Sequence, residues 1–375
     1  MRFLHTADLH IGKQLNDISL LQDQIFILDQ IADIAEEEQV DCILISGDVY
    51  QKAAPQAEAM AAFNRFVTRL TRDDRRVFVI SGNHDSEQRI AYFSELIRSA
   101  GVYVSDCFDG TIQQIELEDA YGKLVVHLLP FLKPAQVRRF FPGEKIMTSQ
   151  DAVCAALKNT PVNPNVRNVL LCHQFITGAE RSDSENVTVG GLDNVDAAIF
   201  EDYDYVALGH IHKPQKVLRE TIRYAGSPLK YSFSEANHHK SVAVVDLYEK
   251  GDIDVRTVPL TPPHEMCLVE GKLDDILQMP YSEDYVAVTV HDEIVPPDAK
   301  LTISANVFPN MMRFTVENSK TKMTSDVLVK EKIESRSVEE LFADFYRFQN
   351  NGAEPTRAHL DLLEKVCREL EDEER

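Results

Sequence analysis

The chain has 375 residues, 44% of them hydrophobic and 27% charged, which excludes a disordered chain, a collagen-like chain and a coiled-coil rod. At roughly 150 residues per domain, that length predicts two or three domains. Asp and Glu number 61 against 39 Lys and Arg, a net charge of −22 that repels polyanions at long range and argues against a free-standing DNA-binding module.

The opening MRFLHTADLH reads as a first strand, not as a signal region. Over the first 215 residues one pattern then repeats: a short apolar run, a polar turn, a helical stretch. The runs at 2–4, 42–46, 77–81, 169–172 and 205–208 have the length and continuous apolar character of strands buried on both faces. Between them, Leu21, Ile25, Leu28, Ile31, Ile34 and Ala35 predict a helix over 20–40. Met60, Phe63, Phe66, Val67 and Leu70 predict a second over 56–71. Residues 110–131 and 222–258 read as further strands of the same α/β domain. Pro259, Pro262 and Pro263 mark a boundary. Beyond it lies a smaller α+β unit with strands near 285–290 and 313–316 and a helix near 273–277, broken by Pro296-Pro297. Ser337 and Glu340 form a capping-box signature opening a helix with Val338, Leu341, Phe342, Phe345 and Phe348. A last helix, over 355–371, places Leu360, Leu363, Val366 and Leu370 on one face. The expected units are therefore 1–262, 263–333 and 334–375. No apolar run reaches the ~18–20 residues of a membrane span. The six cysteines form no CxxC pair and read as reduced, buried thiols of a cytoplasmic protein.

Five polar clusters follow the five apolar runs: Asp8-Leu9-His10, Gly47-Asp48, Gly82-Asn83-His84-Asp85, His173 and Gly209-His210-Ile211-His212. Ligands of α/β sheets bind at the carboxyl ends of the strands, so these residues are expected to converge. Carboxylate, amide and imidazole together suit borderline divalent ions such as Mn²⁺, Fe²⁺ or Zn²⁺ better than an all-oxygen Mg²⁺ or Ca²⁺ cage. Seven candidate ligands are too many for one tetrahedral ion with an open position, and suit two ions if one Asp bridges them. His5 reads as a supporting or structural group. His127, His238, His239, His264, His291 and His359 lack such context and read as solvated or packed.

In order and spacing these clusters resemble the signature of calcineurin-like metallophosphoesterases, over the first ~260 residues. His5-Thr6-Ala7-Asp8-Leu9-His10-Ile11-Gly12-Lys13, Tyr224 to Leu229 and Ser232-Phe233-Ser234-Glu235 further resemble the SbcD-type family of bacterial nuclease subunits. The resemblance implies a β-sandwich flanked by helices, a small capping domain, and terminal helices that dock on the coiled-coil base of an SbcC-like ATPase. It implies a complex with two copies of each chain, a homodimer formed through the nuclease domain, and no membrane association. It implies one metal held by Asp8, His10 and His212, a second by Asn83, His173 and His210, and Asp48 as the bridge. The ions would be Mn²⁺ in the first place, or Mg²⁺. His84 would protonate the leaving oxygen, with Asp85 orienting it. The activity implied is 3'-5' exonuclease action on duplex DNA and endonuclease action on single strands and hairpins, in recombination, replication and repair, at the nucleoid. Gln51 departs from the Asp or His usual at its position. A phosphoesterase acting on a small phosphodiester or a phosphoprotein is the alternative. Against it, Val49-Tyr50-Gln51-Lys52 stands where protein phosphatases carry Asp-Arg-Gly, and residues 264–375 would be superfluous. A non-catalytic scaffold would have no need of a complete ligand set.

Overall fold

The computed structural model describes residues 1–185 and 193–319 and, within the tail, 342–343, 346–347, 354–360 and 362–363. In chain order the main unit comprises β1 (Arg2–Thr6), α1 (Leu21–Glu37), β2 (Cys42–Ser46), α2 (Ala57–Leu70), β3 (Arg76–Ile80) and β4 (Val102–Val104). There follow β5 (Gln113–Asp119), β6 (Gly122–Leu129), α3 (Ser149–Asn159), β7 (Arg167–His173) and β8 (Tyr205–Gly209). It closes with β9 (Gln215–Val217), β10 (Arg219–Tyr224), β11 (Ser241–Leu247) and β12 (Ile253–Pro259).

These strands form two six-stranded sheets, ordered β12-β11-β1-β2-β3-β4 and β9-β10-β8-β7-β6-β5. Strands β1 to β4 are parallel, with Leu4 opposite Ile43 and Ile43 opposite Val77, while β11 pairs antiparallel with β1 and the edge strand β12 antiparallel with β11. In the second sheet β6, β7, β8 and β10 are parallel and the edge strands β5 and β9 antiparallel. Alternate side chains serve two cores. Phe3, Leu44 and Phe78 meet Val126, Leu171 and Ala207 between the sheets. Leu4, Ile43, Ile45 and Val77 face outward onto Ile27, Ile31 and Ala35 of α1 and Phe66 of α2. Ala152, Val153 and Ala156 of α3 cover Leu170 and Cys172 of the second sheet. Both faces are dry, so the strands read as unbroken apolar runs. Each fully buried aliphatic side chain contributes about 1.5–3 kcal/mol of transfer free energy.

The five runs are all strands, but they belong to two sheets: β1, β2 and β3 to the first, β7 and β8 to the second. An apolar run reports burial and says nothing about which neighbour it pairs with. The α2 stripe also differs from expectation. Ala59, Ala62, Phe66 and Leu70 are buried, and Met60 is 53% exposed. Not all thiols are buried: Cys42 and Cys172 are, Cys154 and Cys267 are half-buried, and Cys107 is exposed.

The smaller unit is β13 (Met266–Gly271), α4 (Leu273–Leu277), β14 (Tyr285–Val290), α5 (Ala299–Asn306) and β15 (Met311–Val316). Its three strands are parallel, ordered β13-β14-β15, so α4 and α5 are crossover helices. Ile276, Val288, Val290, Ile303 and Val307 form its own core. It rests on the main unit through Met266 and Ala287 against Phe233, a Lys230–Glu265 ion pair at 2.6 Å and His264 beside Asp23 at 2.9 Å. Strand β13 and helix α5 had no clear signature: β13 alternates half-buried and exposed residues, and only Ala299 and Ile303 of α5 are buried. The helices expected over 337–371 lie largely outside the described residues. Within the described parts, the rings of Tyr346 and His359 lie 4.9 Å apart and Arg347 pairs with Glu354 at 3.2 Å. No helix among the described residues is long and apolar enough to cross a membrane.

Candidate metal centre

The site forms where the carboxyl ends of β1, β2 and β3 meet those of β7 and β8, at one end of the seam between the sheets. Close approach there demands glycine. A Cβ on Gly209 would lie 1.9 Å from the Ser46 carbonyl oxygen, and one on Gly82 would lie 2.2 Å from Asp48 Oδ1. Past the strand ends the backbone turns sharply: Asp8, His10, Asp48 and His210 have φ of 53°, 43°, 49° and 102°. Non-glycine residues in that region carry strain of order 1–3 kcal/mol each and cluster at functional sites. The loops are laced together by Asp8 N–H to Gly47 O (3.1 Å), His10 N–H to Asp48 O (2.9 Å) and Ile11 N–H to Val49 O (3.0 Å). Bonds here cross between the sheets: His173 Nδ1 donates to Ser46 O at 2.7 Å, Ser46 Oγ to Ala207 O at 2.9 Å, and His210 N–H to Asp8 Oδ1 at 2.9 Å.

All nine residues singled out from the sequence are brought together. Asp8, His10, Asp48, His173 and His212 are buried; Asn83, His84, Asp85 and His210 are half-buried. Donor atoms of Asp8, His10 and His212 lie within 4.8 Å of one another, as do those of Asp8, Asp48 and His173 and those of His10, Asp48 and His84. The Nε2 atoms of His10 and His212 face each other at 3.1 Å. Asn83 Oδ1 lies 3.1 Å from His173 Nε2 and 2.9 Å from His210 Nδ1. Between these groups stands one atom, Asp48 Oδ2, 3.5 Å from His10 Nε2 and 3.4 Å from His173 Nε2.

Electrostatically the cluster is short of positive charge. Burial raises the Asp8 carboxyl to about 7 and, with His173 alongside, lowers His210 to about 3. Burial also holds His10 well below the usual imidazole range. It would raise Asp48 too, but the charge and hydrogen bond of His173, with His10 and His84, keep it well below the usual carboxylate range. Against the effect of burial, Asp48 raises His173 to about 9, so that ring meets a cation by giving up its proton. Imidazoles and converging carboxylates are the donor set of a divalent cation, so the residues present fit two metal ions.

Among the described residues Asp85 has no hydrogen bond to His84. Its carboxylate is occupied by the N–H groups of Val49 (3.0 Å), Tyr50 (3.0 Å) and Gly82 (2.9 Å), and so ties the loop after β2 to the loop after β3. The imidazole of His84 is positioned instead by the Gln51 carbonyl, and its backbone N–H by Asp48 Oδ1 at 2.8 Å. His5 hydrogen-bonds the Tyr205 hydroxyl at 2.9 Å and is structural. Residues that sequence reasoning gave no role include Phe131, whose ring stacks over His210 at 6.3 Å, and Ser184 and Glu235 behind His212. Only Glu235 had a signal, its place in the Ser232–Ser234 run of the resemblance.

Fold and centre together define a calcineurin-like phosphoesterase, and the family description of that name matches residues 1–214. A second, "Type 5 capsule protein repressor C-terminal domain", the SbcD_C family, matches residues 262–350. The SbcD protein of the nuclease SbcCD from Staphylococcus epidermidis is 36% identical over 282 residues, 74% of each chain. The chain belongs to the SbcD family of calcineurin-like phosphoesterases. Among solved structures, a dimetal phosphatase from Danio rerio is similar with a TM-score of 0.40 and 12% identity, covering 70% of this chain and 98% of its own. The E. coli phosphoesterase Yfce is similar with a TM-score of 0.29 and 15% identity, covering 70% and 100%.

Proposed function

We propose that this chain is the metal-dependent nuclease subunit of an SbcCD-type complex, hydrolysing DNA phosphodiesters at the centre between its two sheets. The observation that carries the reading is the place of Asp48 Oδ2, within 3.5 Å of ring nitrogens from both halves of the ligand set. Asp8, His10 and His212 would hold one ion and Asn83, His173 and His210 the other, with Asp48 shared between the two sets. Mixed nitrogen and oxygen donors favour Mn²⁺ over Mg²⁺. When bound, such a pair clamps the phosphate and supplies hydroxide for in-line attack. His84, with Nδ1 committed to Gln51, offers Nε2 to the leaving oxygen as a general acid, a role suited to an imidazole near neutral pH. Asp85 holds the two loops that carry Asp48 and His84 in register.

Clefts open on both sides of the centre. One is lined by Asn83, His210, Lys133 and Arg138, the other by Ser184, Tyr231, Lys13 and Arg313. None of these four Lys and Arg side chains makes an ion pair among the described residues. In a chain of net charge −22 they are suited to a phosphate backbone. Membership of the SbcD family favours DNA over a small phosphodiester or a phosphoprotein. The units are 1–262 for hydrolysis, 263–333 as a cap, and 334–375 for docking on the coiled coil of an SbcC-like ATPase. The complex holds two copies of each chain, paired through the nuclease unit, and works on DNA ends and hairpins in the cytoplasm at the nucleoid. The test is the purified chain with Mn²⁺, assayed on linear duplex DNA beside bis-p-nitrophenyl phosphate. Hydrolysis of the small diester without cleavage of DNA, alone or with the ATPase, would overturn the nuclease reading.

A further inference from the structure

Behind His212, on the side away from the other ligands, lies a buried ionic cluster with no part in the ligand assignment. Glu235 is 0% exposed and Lys240 5%. Lys240 Nζ donates to Glu235 Oε2 at 2.6 Å, to Ser227 Oγ at 2.8 Å and to the His212 carbonyl at 2.8 Å, which uses all three of its hydrogens. Glu235 Oε1 accepts from Ser184 Oγ at 2.5 Å and lies 3.2 Å from His212 Nδ1. Ser184 Oγ is 2.8 Å from that same nitrogen. Glu185 completes the grip by accepting the His212 backbone N–H at 2.8 Å.

Two ions in a dry interior are a poor source of stability, since an apolar pair of similar volume often does as well. Their position explains them better. A carboxylate can only accept, so the His212 nitrogen facing it carries the hydrogen. That leaves Nε2, 3.1 Å from His10 Nε2, with its lone pair turned toward the ligand cluster. A negative charge behind an imidazole also strengthens it as a donor to a cation. Lys240 is the buried cation that pairs with that carboxylate, at 2.6 Å. In the second position His173 Nδ1 meets a neutral acceptor, the Ser46 carbonyl, and His210 Nδ1 faces Asn83. His10, which shares the first position, has its Nδ1 buried without a hydrogen-bond partner, so the backing there comes through His212 alone.

Resting on the ligand assignment proposed above, we infer that Glu235, paired with Lys240 and oriented by Ser184, is a positioning residue for one ion only. It fixes His212 as its Nδ1–H tautomer and makes the Asp8/His10/His212 position the tighter of the two. The two ions therefore bind with unequal affinity, and the inequality is set from outside the ligand set.

The experiment is calorimetric titration of Mn²⁺ into the metal-free full chain, with long-range ¹H–¹⁵N spectra of its imidazoles. The wild-type chain should show two binding events and an Nδ1–H pattern for His212, assigned by its loss in His212→Gln. Glu235→Gln should weaken the tighter event by about 10–100-fold, leave the weaker one within about 2-fold, and mix the tautomers of His212. Ser184→Ala, which leaves no charge stranded, should weaken the same event a few-fold. The inference is overturned if both events and the His212 pattern are unchanged in Glu235→Gln. Equal weakening of both events with a lowered melting temperature also overturns it, in favour of a structural role. Should Glu235→Gln fail to fold, an unaltered Mn²⁺ isotherm in Ser184→Ala decides against it. A wild-type chain that binds two Mn²⁺ unequally but cleaves no DNA would sink the nuclease reading and leave this one standing.

Discussion

His84 donates from Nδ1 to the backbone carbonyl of Gln51, 3.1 Å away. Since the carbonyl has no hydrogen to give, the ring is held with Nδ1 protonated and Nε2 as its exchangeable position. The departure from the family pattern at Gln51 therefore leaves this hydrogen bond intact, because it is made by main chain. His84→Gln should bind as much Mn²⁺ as the wild-type chain and lose at least about 100-fold in rate on both DNA and bis-p-nitrophenyl phosphate. Metal analysis beside the two assays checks this, and substantial metal loss would move His84 into the ligand set.

Asp48 serves both halves of the centre with one oxygen and holds the His84 amide with the other. Asp48→Ala should cut bound Mn²⁺ from two per chain toward none at micromolar free metal, whereas His210→Ala should spare one. Titration of the metal-free variants reads the stoichiometry directly.

Gly209 lies against the other sheet, and an added methyl would sit 1.9 Å from the Ser46 oxygen and 2.7 Å from His173 Nδ1. Backbone on one side and a β-strand on the other leave no cheap way to relax. Gly209→Ala should cost on the order of 3 kcal/mol or more, roughly 10 °C in melting temperature for a unit of this size. Gly122, where a Cβ would meet nothing within 4 Å, supplies the control for position, although its φ of 92° carries its own strain.

Much of this was legible in the sequence. The five apolar runs, the turns after them and the seven ligand candidates are local features, fixed by burial and by the chemistry of the side chains. The division of those runs between two sheets was not, because Phe3 and Leu4 look alike whether the facing layer is a helix or another sheet. Nor was the work of Asp85, whose three backbone partners come from two separate loops. Lys240 and Glu235 are only five residues apart, but nothing in that spacing says that His212 lies between them and the ligands.

Lys133 and Arg138 face the cleft beside Asn83 and His210. Replacing both with alanine should raise KM for oligonucleotides. The slope of log affinity against log salt should fall by about 0.9 for each phosphate these side chains neutralise. Hydrolysis of bis-p-nitrophenyl phosphate, too short to reach them, should be unchanged. An equal loss on both substrates would place these cations in the folding or metal chemistry instead.

Removal of residues after 333 should leave metal loading and Mn²⁺-dependent hydrolysis of simple substrates in place and abolish co-purification with the SbcC-like ATPase. Thermal melting of the shortened chain separates this from the outcome in which the tail belongs to the chain's own core, since melting would then fall sharply.

The location of the centre on the seam has a mechanical consequence. On the proposed assignment each ion is gripped from both sheets: Asp8 and His10 follow β1 while His212 follows β8, and Asn83 follows β3 while His173 ends β7. Each ion is a rivet through two plates. Loading and closure of the sandwich are then one equilibrium, and free metal at 100 times its dissociation constant adds about 2.7 kcal/mol per site to the free energy needed to part them. The converse matters more for a protein that cuts DNA. By the same linkage, a copy whose sheets part loses its grip on the ions, and with it the centre that cuts.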